Sequence, residues 1–504
     1  MGKIKSAIIT AILLAAILVL GFFATVSCAV PNSNGVKRYN SFISSIRLGA
    51  DLTGEATTVL YPEGVISAAD YFEGLPALPV EGEDDYADKL EKYEKYTGKY
   101  VQRGSVYVEK DLLEDEENNL SDKVKKDVEV LSARFDRKGY SSYSLSVQDD
   151  YTIRIAVPTN FSYSAYKQNN ATARSDETAK ISRTIQYLAT SGELSVSSEK
   201  HSIPAKDTAA DYFKSFTKYS AANNYAVKIR LTAEGKKGIG KLTSDMMADE
   251  ETALNFYVGE TQLLSLTISE AITGNSFYIS VNDASYAEDY SIILNSAANG
   301  EVLNLDYGVS DSLKINYGSA ALGDNAAIYL FVSMLVLFAG AIVFSVIKYR
   351  KLGLVNAIMI LIYALVIITS VLLIEIQLTV AGAFMIILGL ALLCGSNFAA
   401  FEAIRGETKR GKTMRAAIKA GYRSRLTAIL DLHVVLVLVS LMTTLICMFT
   451  CAGEIFACAF IFFIASVASY ILYWFTRFMW YVLSSPAKDK FAFCGFKREV
   501  PVDD

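Results

Sequence analysis

The sequence predicts an α-helical membrane bundle that carries one large α+β domain on the outer side of the membrane. Three observations predict it. The 504 residues are 52% apolar and their mean hydropathy is +0.28, both high for a soluble chain. Six long apolar runs occur, one at the start and five after residue 325. If all six cross the membrane, every Lys/Arg-rich segment falls on the same side.

A crossing helix needs about 20 mostly apolar residues to span a core roughly 30 Å thick. The first candidate is Ala7–Val30, behind Lys3 and Lys5. It is longer than the apolar region of about 7–15 residues in a cleaved signal peptide. Thr25-Val26-Ser27-Cys28 is a poor lipoprotein cleavage site. The other spans are expected at Ala326–Ile347, Leu354–Ile374, Leu378–Ala400, Leu426–Thr450 and Ile455–Phe475. Basic residues fill the Lys348–Lys351 joint, a long loop from Arg405 to Arg425, and the tail, with Arg477, Lys488, Lys490, Lys497 and Arg498. The joints at Glu375 and Glu454 hold none. The positive-inside rule then puts both termini in the cytoplasm and residues 31–325 outside. The organisation is residues 1–30 as an N-terminal span, 31–325 as the outer domain, 326–480 as a five-helix bundle and 481–504 as a cytoplasmic tail.

The outer domain mixes helix and strand signals. Ser121–Gly139 places Val124, Val128, Leu131 and Phe135 at helical spacing, with Ser121 to cap it and Gly139 to end it. Tyr151–Val157 alternates as a half-buried strand does. Asp176–Thr190 and Ser285–Ala298 read as helices, the second closed by Gly300, and Val302–Tyr307 is strand-like. The Glu-, Asp-, Lys- and Tyr-rich stretch from Gly82 to Asn119 is either a helix or an exposed insertion. Gly235-Lys236-Lys237-Gly238-Ile239-Gly240-Lys241-Leu242 nearly spells a phosphate-binding loop. Leu242 stands where Mg²⁺ would need a hydroxyl, and the run reads as a surface turn.

Composition narrows the function classes. The net charge of −5, from 48 basic and 53 acidic residues, gives no basic surface for nucleic acid. Two histidines, His201 and His433, argue against a histidine metal centre, and no cofactor is expected. Of six cysteines none lies in the outer domain proper, so it is not a disulfide scaffold. Cys447 and Cys451 share a helical face, where the plainer reading is small apolar side chains. No nucleophile–base constellation, metal cluster or phosphate loop points to an enzyme.

The layout and several motifs resemble the SecD family. Ile46-Arg47-Leu48-Gly49-Ala50-Asp51-Leu52-Thr53-Gly54 is similar to its opening Leu-Gly-Leu-Asp-Leu-x-Gly-Gly strand, with Glu55 in place of the second Gly. Leu131–Pro158 is similar to its helix, turn and strand, and Tyr349-Arg350-Lys351-Leu352-Gly353-Leu354 matches its Tyr-Arg-x-x-Gly-Leu joint. The best stretch is Asn397-Phe398-Ala399-Ala400-Phe401-Glu402-Ala403-Ile404-Arg405-Gly406-Glu407. It is followed in register by Arg410-Gly411-Lys412, Arg415–Ile418, Ala420-Gly421 and Ala428–Asp431. The resemblance covers Ile46 to Arg477. It implies a fold like the RND transporter superfamily, ferredoxin-like pieces in the outer domain and a mobile head at about 202–282. It also implies a bacterial cell-membrane location, a SecF-like sister subunit, the SecYEG channel and exported unfolded polypeptides as partners, and coupling to the proton gradient.

The sequence departs from the family at the residues linked to protons. The family's Asp two positions before the Asn of the fourth span is Gly395 here. Its Asp-Ala-Asn-x-Thr-Thr motif reads Asp431-Leu432-His433-Val434-Val435. Ionisable groups in a span cost about 2.5–3.5 kcal/mol on insertion scales, and histidine can carry a proton near neutral pH. Asp431 and His433, with Asn397, are therefore the candidate relay, although a two-residue spacing puts the first two on different helix faces. The plainer alternative has Asp431 bridging to Asn397 or an Arg, with His433 a satisfied interface residue. Glu402 and Arg405 are placed to pair on one face. The basic Arg405–Arg425 loop suits anionic membrane lipid or channel subunits, or serves only as a topology signal. Three functions compete: an export-accessory subunit, an RND-type transporter of small molecules or lipids, and a membrane scaffold that moves no protons.

Overall fold

A computed structural model describes residues 3–32, 35–39, 41–78, 80, 85–114, 119–140, 142–149, 151–159, 171–203, 211–221, 224–307, 315–323, 325–374, 376–450 and 453–484. Glu375, Cys451 and the tail beyond Ser484 lie outside them. The chain forms two compact units. A helical unit comprises residues 1–55, 158–174 and 319–504, and an α/β unit comprises 56–157 and 175–318.

The helical unit opens with α1, Lys3–Thr25. The first span was expected to run to Val30, but Cys28–Asn32 is strand β1, paired antiparallel with β2, Gly35–Tyr39. Pro31 has no N–H to continue a helix, and the residue before a proline is driven toward extended backbone. A 3₁₀ turn at Ile43–Ser45 and the short α2, Ala50–Thr53, follow. Five helices complete the unit: α10 Ala326–Tyr349, α11 Lys351–Ile374, α12 Val380–Lys409, α13 Met414–Thr450 and α14 Gly453–Ser484. Among the described residues these five are long and apolar enough to cross a bilayer, and α1 adds a shorter apolar stretch, Ala11–Thr25. The long basic loop is mostly helix. α12 continues through Lys409 and α13 begins at Met414, because Ile404, Met414, Ala417, Ile418 and Tyr422 bury an apolar face against Tyr349, Tyr473 and Trp480.

Glycine sets the closest approaches. A Cβ on Gly353 would lie 1.8 Å from the Ser345 carbonyl oxygen, and one on Gly421 would lie 2.6 Å from Ile404 Cγ1 and 2.8 Å from its backbone nitrogen. Within a bilayer helices gain little from the hydrophobic effect against each other, so such backbone proximity carries much of the packing.

The α/β unit holds β3 Glu55–Leu60, β4 Val65–Ser67, α3 Ala68–Gly74, α4 Tyr86–Lys99, β5 Tyr100–Arg103, β6 Val106–Glu109, α5 Lys110–Glu114 and α6 Leu120–Arg137. Next come β7 Ser144–Gln148, β8 Thr152–Pro158, α7 Ala171–Leu188, β9 Leu194–Ser197, β10 Ser202–Ile203, β11 Phe213–Ala221 and β12 Asn224–Leu231. The unit ends with α8 Ala233–Ala248, β13 Ala253–Val258, β14 Thr261–Thr267, β15 Ser276–Val281, α9 Ala284–Ala298 and β16 Asn316–Gly318. Its sheets have the orders β16-β3-β8-β7, β4-β6-β5, β10-β9-β13-β14 and β11-β12-β15. The helices expected at Ser121–Gly139, Asp176–Thr190 and Ser285–Ala298 and the strand at Tyr151–Val157 are all present within a few residues. The 82–119 stretch contains α4, the β5–β6 hairpin and α5, and Val65, Val106, Val108 and Leu120 form a small core of their own. The β9–β10 pairing crosses residue 202, the start expected for a head.

Two expectations are corrected. Val302–Tyr307 is not a strand. Its polar groups are held by a buried charge of α6, Asp127. Asp127 Oδ1 accepts from Asn304 N at 2.6 Å and Asn304 Nδ2 at 2.8 Å, and Oδ2 accepts from Leu305 N at 3.1 Å and the Tyr307 hydroxyl at 2.8 Å. One turn pair further on, Arg134 donates to the carbonyls of Leu188, Thr190 and Glu301 and to Ser296 Oγ. Both side chains are fully buried. Burial brings the Arg134 guanidinium down to about 10, still protonated at neutral pH. Backbone donors engaged by a carboxylate are not free for a sheet ladder. The second correction concerns Gly235–Leu242, which is the body of α8 and not a surface turn. Thr232 caps the helix by accepting from Gly235 N, and Ile239, Leu242 and Met246 face the core. A Cβ on Gly235 would lie 1.9 Å from the Tyr212 carbonyl oxygen, so the glycine serves close packing.

Candidate functional site: polar groups among the spans

Two separate polar arrays lie inside the helical unit. The first joins α10, α11 and α12. Ser345 Oγ donates to the Ala341 carbonyl at 2.7 Å. Asn356 Nδ2 donates to Ser345 Oγ at 2.9 Å and lies 3.8 Å from Cys394 Sγ. Asn397 Nδ2 donates to Asn356 Oδ1 at 2.7 Å. Ser345, Asn356 and Asn397 are fully buried, and Asn397 Oδ1 has no hydrogen-bond partner among the described residues.

The second array joins α13 and α14. His433 is 2% exposed. Its Nδ1 lies 2.8 Å from the Ile429 carbonyl oxygen and its Nε2 lies 3.0 Å from Ser469 Oγ. Ser469 Oγ in turn lies 2.8 Å from the Ser466 carbonyl oxygen. The Tyr470 ring sits 5.3 Å from the imidazole.

The expected Asp431–His433–Asn397 grouping is not what the fold assembles. Asn397 meets Asn356, and His433 meets Ser469. Asp431 is exposed among Leu432, Val434 and Val435 and has no hydrogen bond or ion pair among the described residues. Residues 431 and 433 turn to different helix faces, as their spacing requires. Gly395 is exposed, and a Cβ there would meet nothing within 4 Å.

The remaining motif residues build joints. Gly49 N donates to the Leu378 carbonyl at 2.9 Å, Leu378 N donates to the Arg47 carbonyl at 2.8 Å, and Leu48 and Leu378 form a parallel bridge. Asp51 Oδ2 accepts from Val380 N at 2.6 Å, so the motif caps the start of α12 together with Thr379, whose Oγ1 accepts from Gly382 N. Burial pushes the Asp51 carboxyl above the usual carboxylate range, and the backbone N–H groups of Val380, Asp51 and Leu52 pull it part of the way back. Asp51 Oδ1 is buried without a hydrogen-bond partner among the described residues. Gly54 adopts φ +93°, and its carbonyl accepts from Thr159 N at 3.2 Å. Glu402 accepts from the Tyr349 hydroxyl at 3.1 Å and lies 3.7 Å from Lys348 Nζ, so it turns to α10. Arg405 is exposed, and its carbonyl accepts from Thr408 Oγ1. Gly411 turns the chain with φ +84°, while Glu407 pairs with Arg410 and Lys412.

Asn356, Ser345, Ser469 and Ser466 were not singled out in the sequence. Each is a polar residue inside an apolar run, and that was the available signal. Among the described residues no group of three or more His, Cys, Asp and Glu side chains is placed to hold a metal.

Five bilayer-length helices with buried polar arrays, joined in one chain to an α/β region, define a multi-pass membrane protein of SecDF-like fold. A crystal structure of SecDF in its super-membrane-facing form matches 94% of this chain and 57% of its own, at TM-score 0.50 and 18% identity. No protein-family model matches. The SecD subunit of Acidaminococcus fermentans is 28% identical over 209 residues, 41% of this chain and 48% of that one. SecD of Aquifex aeolicus is 22% identical over 373 residues, 71% of this chain and 68% of that one. SecD of Dictyoglomus turgidum is 33% identical over 100 residues, 20% of this chain and 25% of that one. The chain is a SecD-like protein. The match to the first of these relatives spans about half of that relative's length.

Proposed function

We propose that this chain is an accessory subunit of the Sec protein translocase that assists late steps of protein export across the bacterial cytoplasmic membrane. The observation that carries the reading is the agreement of SecD relatives in sequence with a SecDF fold spanning 94% of the chain. In this reading α1 is a sixth crossing, both termini are cytoplasmic and the α/β unit is extracytoplasmic, as the basic joints favour. The α/β unit supplies ferredoxin-like pieces and a head at about 202–282 that meets exported unfolded polypeptide. A SecF-like sister subunit and SecYEG complete the assembly. The chain acts as a mechanical subunit and not as an enzyme. With Gly395 in place of the family's Asp, any coupling to the proton-motive force in this chain runs through another group.

Purification of the tagged chain from its native membrane in mild detergent, with mass spectrometry of what accompanies it, tests the reading. Recovery of a SecF-like subunit and SecY supports it. Recovery of a lipid- or small-molecule-handling partner in their place would mean that the fold serves RND-type transport instead.

A further inference from the structure

We propose that His433 is a proton-binding site inside the helical unit, and that Ser469 reports its charge by turning its hydroxyl between two acceptors. The argument is a count of hydrogens. The Ile429 carbonyl is only an acceptor, so the Nδ1 that lies 2.8 Å from it carries a hydrogen in every charge state. A neutral imidazole has one N–H. Nε2 is then a lone pair, and the Ser469 hydroxyl donates to it across 3.0 Å. Ser469 Oγ is also 2.8 Å from the Ser466 carbonyl oxygen. One hydroxyl hydrogen cannot serve Nε2 and Ser466 together. When Nε2 takes a proton from solvent, its new N–H donates to Ser469 Oγ, and the Ser469 hydrogen turns to Ser466. Loss of the proton reverses both moves. Either state leaves His433 and Ser469 satisfied, which is how a buried imidazole can hold two charge states.

The surroundings sharpen the consequence. Ser466 and Ser469 are fully buried, each at 0% exposure, and the Ser466 hydroxyl has no hydrogen-bond partner among the described residues. From α14, the Tyr470 phenol ring is the titratable group against the imidazole. From α12, the other long helix packed on α13, no titratable side chain among the described residues meets it. On α13 itself the nearest acid, Asp431, is exposed and turned to another face. An arriving proton therefore adds a net charge to the interior. The site stands on this geometry whatever the chain's partners are.

The chain has only two histidines, which makes the test direct. His201 pairs with Asp249 in the α/β unit, so His201→Gln leaves one histidine without touching the bundle. ¹⁵N-histidine spectra of that full-length chain in lipid nanodiscs are recorded from about pH 8 to about pH 4. The expected neutral ring carries its hydrogen on Nδ1, the tautomer less favoured in free histidine. Acidification should protonate Nε2, and Ser469→Ala should move the Nε2 resonance and leave Nδ1 in place. A neutral ring protonated on Nε2, or a ring that never gains a second proton, would overturn the proposal. So would an Nε2 resonance indifferent to Ser469→Ala. The tautomer measurement needs no substitution in the bundle, so it decides the matter even if Ser469→Ala fails to fold.

Discussion

Replacing Asp127 is the sharpest test of how the α/β unit is held together. Its carboxylate accepts four hydrogen bonds, two of them from the backbone N–H groups of Asn304 and Leu305. Asp127→Ala leaves both N–H groups without their acceptor; Asn304 is exposed and Leu305 half-buried, so the pair together costs about 1–3 kcal/mol. The Asn304 amide and Tyr307 hydroxyl lose partners as well. The expected total is about 3–5 kcal/mol, the loss of four hydrogen bonds to a charged acceptor, discounted for the partial exposure of the donors. Asp127→Asn keeps the shape and one acceptor oxygen, so it should cost less, about 2–3 kcal/mol. Tyr307→Phe removes a single bond and should cost about 1–1.5 kcal/mol. Amide hydrogen exchange of the full-length chain in detergent, followed by mass spectrometry, reads the local opening free energy at residues 303–307. The order Ala, then Asn, then Tyr307→Phe is the signature of the carboxylate. Asp127→Ala costing under about 1 kcal/mol, or exchange at 304 and 305 left unchanged, would refute the reasoning.

Further expectations follow from the same geometry. Arg134→Lys should destabilise the α/β unit by at least about 2 kcal/mol in the same exchange experiment, because an ammonium cannot reproduce the planar fork that reaches three carbonyls and Ser296. Asp51 has a carboxyl raised by burial, so its protonated form is favoured by the fold. Its contribution to stability is full below the ordinary carboxylate value of about 3.9 and is lost as pH rises through the higher folded value. Asp51→Asn keeps an acceptor for Val380 N and should flatten that part of the pH–stability profile, whereas Asp51→Ala should lose the cap at about 1 kcal/mol. A steeper profile for Asp51→Asn would contradict this. Gly421→Ala should lower thermal stability by about 1–3 kcal/mol, since the added methyl meets the Ile404 backbone. Gly395→Ala, with open space around it, is the control and should leave the melting temperature alone.

The parts of the fold that are readable from sequence are those set by local periodicity. Ser121–Gly139 places Val124, Leu131 and Phe135 at helical spacing, and the same side chains fill the core. The five later spans are legible because hydropathy alone decides whether such a run enters lipid. Where long-range partners decide, the sequence is silent. Val302–Tyr307 has a strand's composition, but the polar groups of Asn304, Leu305 and Tyr307 are taken by Asp127, more than 170 positions earlier. Gly235–Gly240 looks like a turn because glycine count dominates the local signal, while Thr232 and the Ile239–Leu242–Met246 stripe already marked a helix. In the bundle, Asn397 and His433 were visible as polar residues in apolar runs. Their partners were not, because the rotation of each helix about its axis decides which neighbour a side chain meets. That rotation separated Asn397 from His433 and turned Asp431 outward.

The rung between Gly49 and Leu378, and the Asp51 cap on Val380, also carry a consequence for biosynthesis. The two partners of the cap are 329 positions apart. At roughly 5–20 residues per second, a ribosome needs about 15–65 s to make the chain between them. Gly49 and Asp51 thus leave the ribosome long before the residues they contact. During that interval the motif is without these partners, while the residues of the whole α/β unit are made. Emergence of the start of α12 is then the event that lets this early motif close onto the bundle, with α13 and α14 still to come.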